Sequence, residues 1–89
     1  MRLDKFLKVS RIIKRRTLAK EVADQGRISI NGTPGKASSN VKVGDELVIR
    51  FGQKLVTVVI EDLKETTRKE EATNLYRVVK EEKIEQESL

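Results

Sequence analysis

The 89-residue sequence contains no cysteine and no histidine. Without cysteine there are no disulfides and no thiol nucleophiles, and without histidine there is no imidazole base for a Ser/His/Asp triad. Zinc fingers built on these two residue types are excluded as well. Most common hydrolytic chemistry is therefore ruled out, and we predict no enzymatic activity, no cofactor and no metal site.

Aromatic residues and long apolar runs are also scarce. The chain has two phenylalanines, one tyrosine and no tryptophan, and we assign Phe6 and Phe51 to the core. Proteins that stack single-stranded bases need more exposed aromatics than this. No run approaches the roughly 18 apolar residues that span a bilayer, and the start lacks the apolar segment of a signal peptide. We expect one small, soluble, cytosolic domain with no membrane contact, whose function lies on its surface.

Positive charge is concentrated near the start of the chain. The net charge is +5, but residues 1–36 carry ten cations and three anions, whereas residues 61–89 carry six and nine. Eight cations precede Glu21 with Asp4 as the single acid among them: Arg2, Lys5, Lys8, Arg11, Lys14, Arg15, Arg16 and Lys20. Solvation and local pairing explain most basic runs, but here the nearby acids are too few. The cluster favours a polyanionic partner.

Apolar spacing predicts two helices in this basic region. The stripe of the first consists of Leu3, Phe6, Leu7 and Ser10, and that of the second consists of Leu18, Ala19, Val22 and Ala23. We predict Thr17 as the N-cap of the second helix and Gly26 as the residue after its C-cap. Leu18 is expected in the core.

Alternating residues predict strands after the second helix. Residues 27–30 alternate and lead into Asn31-Gly32, a pair that suits a tight hairpin turn by itself. Residues 33–40 are small and polar, which indicates a loop or an irregular edge.

Alternation and turn residues predict further strands in residues 41–60. Alternation resumes at Val41 and Val43, and Gly44-Asp45 marks a turn. The next strand places three residues on one face: Leu47, Ile49 and Phe51. A turn at residues 52–54 closes a hairpin with residues 55–60, which are almost wholly apolar and β-branched and are expected to be covered on much of both sides.

The last part of the chain is acidic but retains an apolar pattern. Ala72, Leu75, Tyr76 and Val79 have the spacing i, i+3, i+4, i+7, which predicts a third amphipathic helix docked on the domain. From Lys80 to Leu89 we expect this helix to fray into a charged tail. The predicted organisation is a domain at residues 1–64 followed by a helix and tail at residues 65–89.

Three cations, Lys14-Arg15-Arg16, immediately precede the predicted cap Thr17. A helix N-terminus carries partial positive charge, so exposed cations there cost roughly 0.3 to 1 kcal/mol each. A phosphate would supply both the countercharge and hydrogen-bond acceptors. The arrangement is unfavourable alone and is satisfied by nucleic acid.

Ordered motifs over about residues 2–50 resemble the S4 RNA-binding domain family. They are Arg2-Leu3-Asp4-Lys5-Phe6-Leu7, Arg11, Arg16 with Ala19, Gly26 to Gly32, and Val41 with Gly44-Asp45. The remainder, including Ala72-x-x-Leu75-Tyr76, is similar to the C-terminal part of small stand-alone members. The resemblance implies an α+β fold, a small αL-type RNA-binding domain in which two N-terminal helices pack on a short, mainly antiparallel sheet of four to five strands, plus a C-terminal helix.

The family's RNA-facing positions carry over to seven residues: Arg2, Lys5, Arg11, Arg16, Asn31, Lys36 and Ser38. Together with the basic run they give our predicted RNA-binding set: Arg2, Lys5, Lys8, Arg11, Lys14, Arg15, Arg16, Thr17, Lys20, Asn31, Lys36 and Ser38. Asp4 is expected to orient neighbouring arginines. Arg15 departs from the family, in which many members have a small residue at this position.

The resemblance also implies a role. A non-catalytic factor of this kind docks on ribosomal RNA of the large subunit, with tRNA as a second contact, and serves ribosome-associated quality control. It would hold peptidyl-tRNA on large subunits after a stalled ribosome splits, while C-terminal tails are added to the nascent chain. A protein partner on the ribosome is left open, and we expect a monomer.

Three other functions compete with this interpretation. An RNA-modifying enzyme is disfavoured because the chain has no glycine-rich cofactor loop or metal-ligand spacing. A protein-interaction module would use the acidic C-terminal helix to recruit a partner. A DNA binder would share the basic surface but not the preference for structured RNA.

Overall fold

The computed structural model describes residues 1–65 and 67–83, which form two helices, a five-stranded sheet and a short helical segment. In chain order the elements are α1 (Leu3–Val9), α2 (Arg16–Asp24), β1 (Ile28–Ile30), β2 (Thr33–Pro34), β3 (Glu46–Phe51), β4 (Lys54–Ile60), α3 (Lys69–Ala72), a 3₁₀ turn (Thr73–Leu75) and β5 (Tyr76–Lys83). Every strand pairing is antiparallel, in the order β2-β1-β3-β4-β5. The predicted α+β class is confirmed.

The core lies between the two helices and one face of the sheet. Leu3, Phe6 and Leu7 of α1 are fully buried, as their spacing predicts. In α2 the buried positions are Ala19 and Ala23, whose small side chains let the two helices approach closely. The sheet contributes Ile28, Leu47, Ile49, Val58 and Ile60. The helices are thereby fixed on the sheet, with the basic side chains on their outer surfaces.

The second helix begins two residues earlier than a Thr17 cap requires. Its N-cap is Arg15, with φ −113° and ψ 127°, and no side chain caps the helix. The backbone N–H of Ala19 donates to the Arg15 carbonyl at 2.9 Å, which places Thr17 inside the first turn. The predicted cap is therefore wrong, whereas Gly26 follows the C-cap with φ +76°, as predicted.

The prediction that Leu18 is a core residue is also wrong. Its side chain is 49% exposed, although it adjoins the fully buried Ala19. Successive helical residues are about 100° apart around the axis, so the buried arc centred on Ala19 and Ala23 leaves Leu18 at its margin.

The Asn31-Gly32 turn has the predicted form. Both residues have positive φ, 51° and 84°, which a tight two-residue hairpin loop requires. The chain then pairs briefly with β1 through Thr33 and Pro34. Proline and a two-residue length both suit an edge strand, so the predicted irregular edge is confirmed for this segment.

Strands β3 and β4 form the predicted hairpin, but two details differ. Phe51, expected in the core, is 37% exposed: it is the last residue of β3 and is paired with Lys54 beside the turn. In β4 only Val58 and Ile60 are buried. One face of the strand meets the core, and Leu55, Thr57 and Val59 on the other face are half-buried, so the second face is covered only in part.

The predicted third helix is confirmed only at its start. Ala72 and Leu75 are buried in α3 and the 3₁₀ turn, but Tyr76 and Val79 belong to β5. This strand pairs with β4 from Ile60↔Tyr76 to Lys54↔Lys83, with a bulge between Thr57 and Val58. The pairing satisfies the open edge of β4, which a helix could not do. The charged tail expected from Lys80 begins as strand, and residues 84–89 lie outside the described residues.

The longest helix among residues 1–65 and 67–83 has nine residues, and none of the helices there could span a membrane.

Candidate nucleic-acid interface

A buried carboxylate lies between two arginines where α1 and α2 meet. The Asp4 side chain is only 4% exposed, whereas those of Arg2 and Arg16 are 48% and 47% exposed. Asp4 Oδ1 accepts a hydrogen bond from Arg2 Nε at 3.2 Å, and Asp4 Oδ2 accepts one from Arg16 Nε at 3.4 Å. Oδ2 also accepts from Arg2 Nη2 at 3.4 Å, and Oδ1 from the backbone N–H of Lys5 at 2.8 Å. We call these three residues the Arg2–Asp4–Arg16 cluster.

The cluster fixes two guanidinium groups but does not use all of their N–H donors. Arg16 bonds to Asp4 through Nε, and its side chain is half exposed, so its terminal nitrogens are not used in the cluster. A guanidinium held in this way can donate a two-pronged hydrogen bond to phosphate. The prediction that Asp4 orients neighbouring arginines is confirmed.

The loop that carries Lys36 and Ser38 packs directly on this cluster. The backbone N–H groups of Leu3 and Asp4 donate to the carbonyls of Ser39 and Ala37, at 2.7 and 3.2 Å. These bonds satisfy donors that are otherwise unpaired at the start of α1. Lys36 and Ser38 are exposed beside them. The structure therefore brings this loop and the two arginines together on one surface.

A second basic region lies beyond the end of α1. Lys8, Arg11 and Lys14 line a groove whose other wall is formed by Glu65 and Thr67. The Thr67 hydroxyl donates to the Val9 carbonyl, which fixes this wall against α1.

Lys5 is paired with an acidic residue of the C-terminal segment. Its ammonium forms an ion pair with Glu65, and its side chain is only 32% exposed. It therefore contributes less to the free positive surface than its neighbours.

Arg11 adopts the left-handed backbone conformation, with φ +60°. It follows the C-cap Ser10, and its N–H donates to the Lys8 carbonyl at 3.0 Å. Glycine is the usual residue at such a position, since other residues pay roughly 1–2 kcal/mol for this conformation. An arginine held there at a backbone cost indicates a use for its side chain.

The remaining predicted cations are exposed but dispersed. Lys14 and Arg15 precede α2, while Thr17 and Lys20 line a shallow groove on α2 beside Glu21 and Asp24. Thr17 and Lys20 follow Arg16 in α2, but neither forms a hydrogen bond or ion pair with the Asp4 carboxylate among the described residues.

Asn31 is exposed, but its side chain and backbone also form hydrogen bonds within the protein. Its side-chain Nδ2 donates to Asp45 Oδ1 at 3.1 Å, and its Oδ1 accepts from the backbone N–H of Glu46 at 2.9 Å. Its backbone N–H also donates to the Glu46 carbonyl at 2.8 Å. These bonds join the β1–β2 turn to the start of β3, so the turn is held rigidly.

Two acidic residues that support the surface were not identified from the sequence. Asp24 Oδ1 accepts from the N–H of Ala37 at 3.1 Å and so holds the Lys36–Ser38 loop. Asp45 is buried and also accepts from the Lys42 N–H at 2.9 Å. The position of Asp45 beside Gly44 in a turn was the available signal, whereas Asp24 acts through a contact distant in sequence.

In the C-terminal part of the molecule several charges are paired with one another. Ion pairs join Lys54 to Glu81 and Arg77 to Glu61, at 3.4 and 2.9 Å. The Glu82 carboxylate accepts a hydrogen bond from Lys80 and thereby raises the pKa of that ammonium group. Of the ten cations in residues 1–36, only Arg2, Lys5 and Arg16 form ion pairs within residues 1–65 and 67–83, so most of the positive charge in this N-terminal part is unpaired. No group of three acidic side chains in these residues could hold a metal ion.

Comparisons with known proteins agree with this arrangement. The S4 domain family model matches residues 1–47. The chain is 76% identical over 84 residues to the RQC P-site tRNA stabilizing factor of Bacillus subtilis, covering 94% of this chain and 98% of that protein. It is 36% identical over 77 residues to heat shock protein 15 of Escherichia coli, covering 85% of this chain and 58% of that one.

A solved structure shows the same fold. The trimeric heat shock protein 15 of Vibrio cholerae superposes with a TM-score of 0.83 at 35% identity, covering 89% of this chain and 81% of that one. The matched residues 1–47 contain α1, α2 and the loop that carries the candidate surface. From these matches and the fold, the chain belongs to the S4 domain family.

Proposed function

We propose that this protein is a non-catalytic RNA-binding factor that docks on structured ribosomal RNA of the large subunit. The observation that carries the proposal is the Arg2–Asp4–Arg16 cluster, in which a buried carboxylate holds two half-exposed guanidinium groups. Two arginines fixed at one surface suit the spaced phosphates of a folded RNA better than a flexible basic tail would.

The mode of recognition follows from the side chains on this surface. Phosphate contacts by Arg and Lys release counterions and supply most of the affinity. The described surface offers few aromatic side chains for base stacking, because Phe6 is buried and Phe51 and Tyr76 lie on the sheet. Recognition by shape and by phosphate contacts is the chemistry that these residues support.

The relatives refine the proposal. Proteins up to 76% identical to this chain carry a name that refers to stabilizing P-site tRNA. We propose that this chain likewise contacts tRNA on the large subunit, in the cytoplasm, and that it supports the addition of C-terminal tails to stalled nascent chains in ribosome-associated quality control.

Co-sedimentation with purified large subunits at moderate salt tests the proposal. We expect Arg2→Ala and Arg16→Ala each to lower the affinity about tenfold, which corresponds to roughly 1.4 kcal/mol. Arg50→Ala is the matched control, since Arg50 is exposed on β3 and forms no ion pair among the described residues. Retention of binding by both variants of the cluster would contradict the proposal.

Competition between nucleic acids tests the choice of RNA. We expect a structured ribosomal RNA fragment to displace a labelled RNA at far lower concentration than duplex DNA does, at one fixed salt concentration. Equal potency of the two competitors would indicate a general polyanion binder instead.

The predicted monomeric state is tested separately. The similar Vibrio cholerae protein is described as trimeric. Sedimentation equilibrium of the free protein and of its RNA complex measures the mass of each, and we expect one copy in both.

A further inference from the structure

A further groove lies between the N-terminal helices and the C-terminal segment. It lies between the α1–α2 connection and α3 with its 3₁₀ turn, and it is lined by Arg11, Lys14, Lys69, Thr73 and Tyr76, with Ser10 and Ala72 at its base. Its volume is about 340 Å³. A single water occupies about 30 Å³ in the liquid, so the groove has room for a phosphate with its attached sugar.

The charged side chains that line the groove are all positive. Arg11, Lys14 and Lys69 meet there, and none of the three takes part in an ion pair with the described residues. Glu70 and Glu71 follow Lys69 in α3, but neither lines the groove. Three like charges at one site repel each other, so an anion bound between them would relieve the repulsion.

The groove is structurally fixed on both sides. Arg11 is held in its left-handed conformation directly after α1. On the other side, Ala72 and Leu75 are buried, and the Leu75 carbonyl accepts from the N–H groups of Glu61 and Asp62 at 2.8 and 3.3 Å. Lys69 is therefore presented by an anchored segment, which lowers the entropic cost of ordering it around a ligand.

The hydroxyl groups of Thr73 and Tyr76 complete the chemistry. Both can donate to phosphate oxygens, and backbone phosphate is the commonest target of such groups in nucleic-acid complexes. The groove also shares Arg11 and Lys14 with the neighbouring groove lined by Lys8, so basic residues continue from one to the other.

We infer that Arg11, Lys14 and Lys69 form a second binding site for the phosphate backbone of RNA, built jointly by the α1–α2 connection and the C-terminal segment. The inference rests on the proposed RNA-binding function and extends it. Lys69 lies outside residues 1–47, which match the family model, so the site adds the C-terminal segment to the RNA-binding surface.

The salt dependence of RNA binding tests this site. Affinity for a ribosomal RNA fragment is measured over a range of salt concentrations for the wild type and for Lys69→Ala. Loss of one phosphate contact is expected to reduce the slope of log K against log salt by roughly one and to lower the affinity about three- to tenfold. Alanine favours a helical conformation, so we expect the helical turn to be preserved. Circular dichroism of Lys69→Ala tests whether the variant is folded.

Lys83→Ala is the matched control, because Lys83 is an exposed lysine at the far end of β5. An unchanged slope for Lys69→Ala would overturn the second site. An equal change in both variants would overturn it as well, since that result would reflect net charge alone. In either case Arg16→Ala reports separately on the proposed function, because Arg16 does not line this groove.

A double-mutant cycle and a phosphate control complete the test. If Lys14 and Lys69 bind the same phosphate, the double variant Lys14→Ala with Lys69→Ala loses less RNA-binding free energy than the sum of the losses of the two single variants. Strict additivity would contradict a shared phosphate. Inorganic phosphate at matched ionic strength should not displace RNA, and displacement would assign the groove to the free ion.

Discussion

Asp4 and Arg16 lie twelve positions apart in sequence, yet Arg16 Nε donates to the Asp4 carboxylate at 3.4 Å. A negative charge in a strongly basic surface would be expected to repel RNA. Here it is buried and bonded to both arginines, so its contribution is to position them rather than to repel phosphate.

Replacement of this carboxylate distinguishes positioning from simple charge. Asp4→Asn makes the protein more positive by one unit, but we expect RNA affinity to fall by about fivefold, or roughly 1 kcal/mol, because the two guanidinium groups lose their shared negative charge and one of its two acceptor oxygens becomes an NH2 donor. The free energy of unfolding should fall by about 1–3 kcal/mol, measured by urea denaturation. Glu46→Gln makes the same charge change at an exposed residue and should bind RNA as tightly as the wild type or more so. Tighter binding by Asp4→Asn would contradict the positioning role.

Arg11 should show opposite effects on stability and on binding. Arg11→Gly relieves the left-handed backbone conformation, so we expect the free energy of unfolding to stay constant or rise by up to about 1 kcal/mol. RNA affinity should fall, since the side chain lines both basic grooves. Thermal denaturation and RNA titration of the same preparation measure the two effects. A marked loss of stability would show that the arginine serves the fold.

The Asn31 turn separates backbone from side-chain contributions. Asn31→Gly keeps the positive φ and the backbone bond to the Glu46 carbonyl but removes the side-chain bonds to Asp45 and to the Glu46 N–H, which we expect to cost about 1–2 kcal/mol. Asn31→Ala should cost roughly 1 kcal/mol more, since alanine is disfavoured in this conformation. The two variants are compared by chemical denaturation. Equal stabilities would mean that the turn is not held in this conformation.

Substitutions of two helical leucines, Leu7 in α1 and Leu18 in α2, should change the free energy of unfolding by very different amounts. Leu7 is fully buried, and Leu7→Ala should cost about 2–5 kcal/mol. Leu18→Gln, at a half-exposed site, should change the free energy of unfolding by less than about 0.5 kcal/mol. Urea denaturation of both variants provides the measurement, and a large cost at Leu18 would restore it to the core.

Much of the fold could be predicted from local patterns, because local chemistry and tertiary contacts agree there. The spacing of Leu3, Phe6 and Leu7 predicts α1, and Asn31-Gly32 predicts the hairpin turn. Such positions are constrained by backbone geometry or by a full buried stripe.

The C-terminal region could not be predicted in this way. Its apolar residues fit a helical period over only eight positions, too few to distinguish a helix from a strand. Pairing with β4 decides the outcome from Tyr76 onward, where Val78 and Val79 also favour a strand. The periodic spacing of Ala72 and Leu75 reflects the short helical segment that precedes it.

The candidate surface could be predicted only in part, because some of its features are local in sequence and others depend on tertiary packing. The density of cations before Glu21 was evident in the sequence, and the resemblance to the S4 domain family indicated the role of Asp4. The pairing of Lys5 with Glu65 and the convergence of Lys69 on Arg11 depend on how the C-terminal segment packs, which local spacing does not encode.

The two outermost strands of the sheet have a consequence for self-association. At one border, Pro34 lacks the amide hydrogen that an incoming strand would need. At the other, four consecutive ionised side chains, Lys80 to Lys83, would have to be dehydrated before another chain could add. Both borders thus resist fibril-like growth, even when many copies are crowded together.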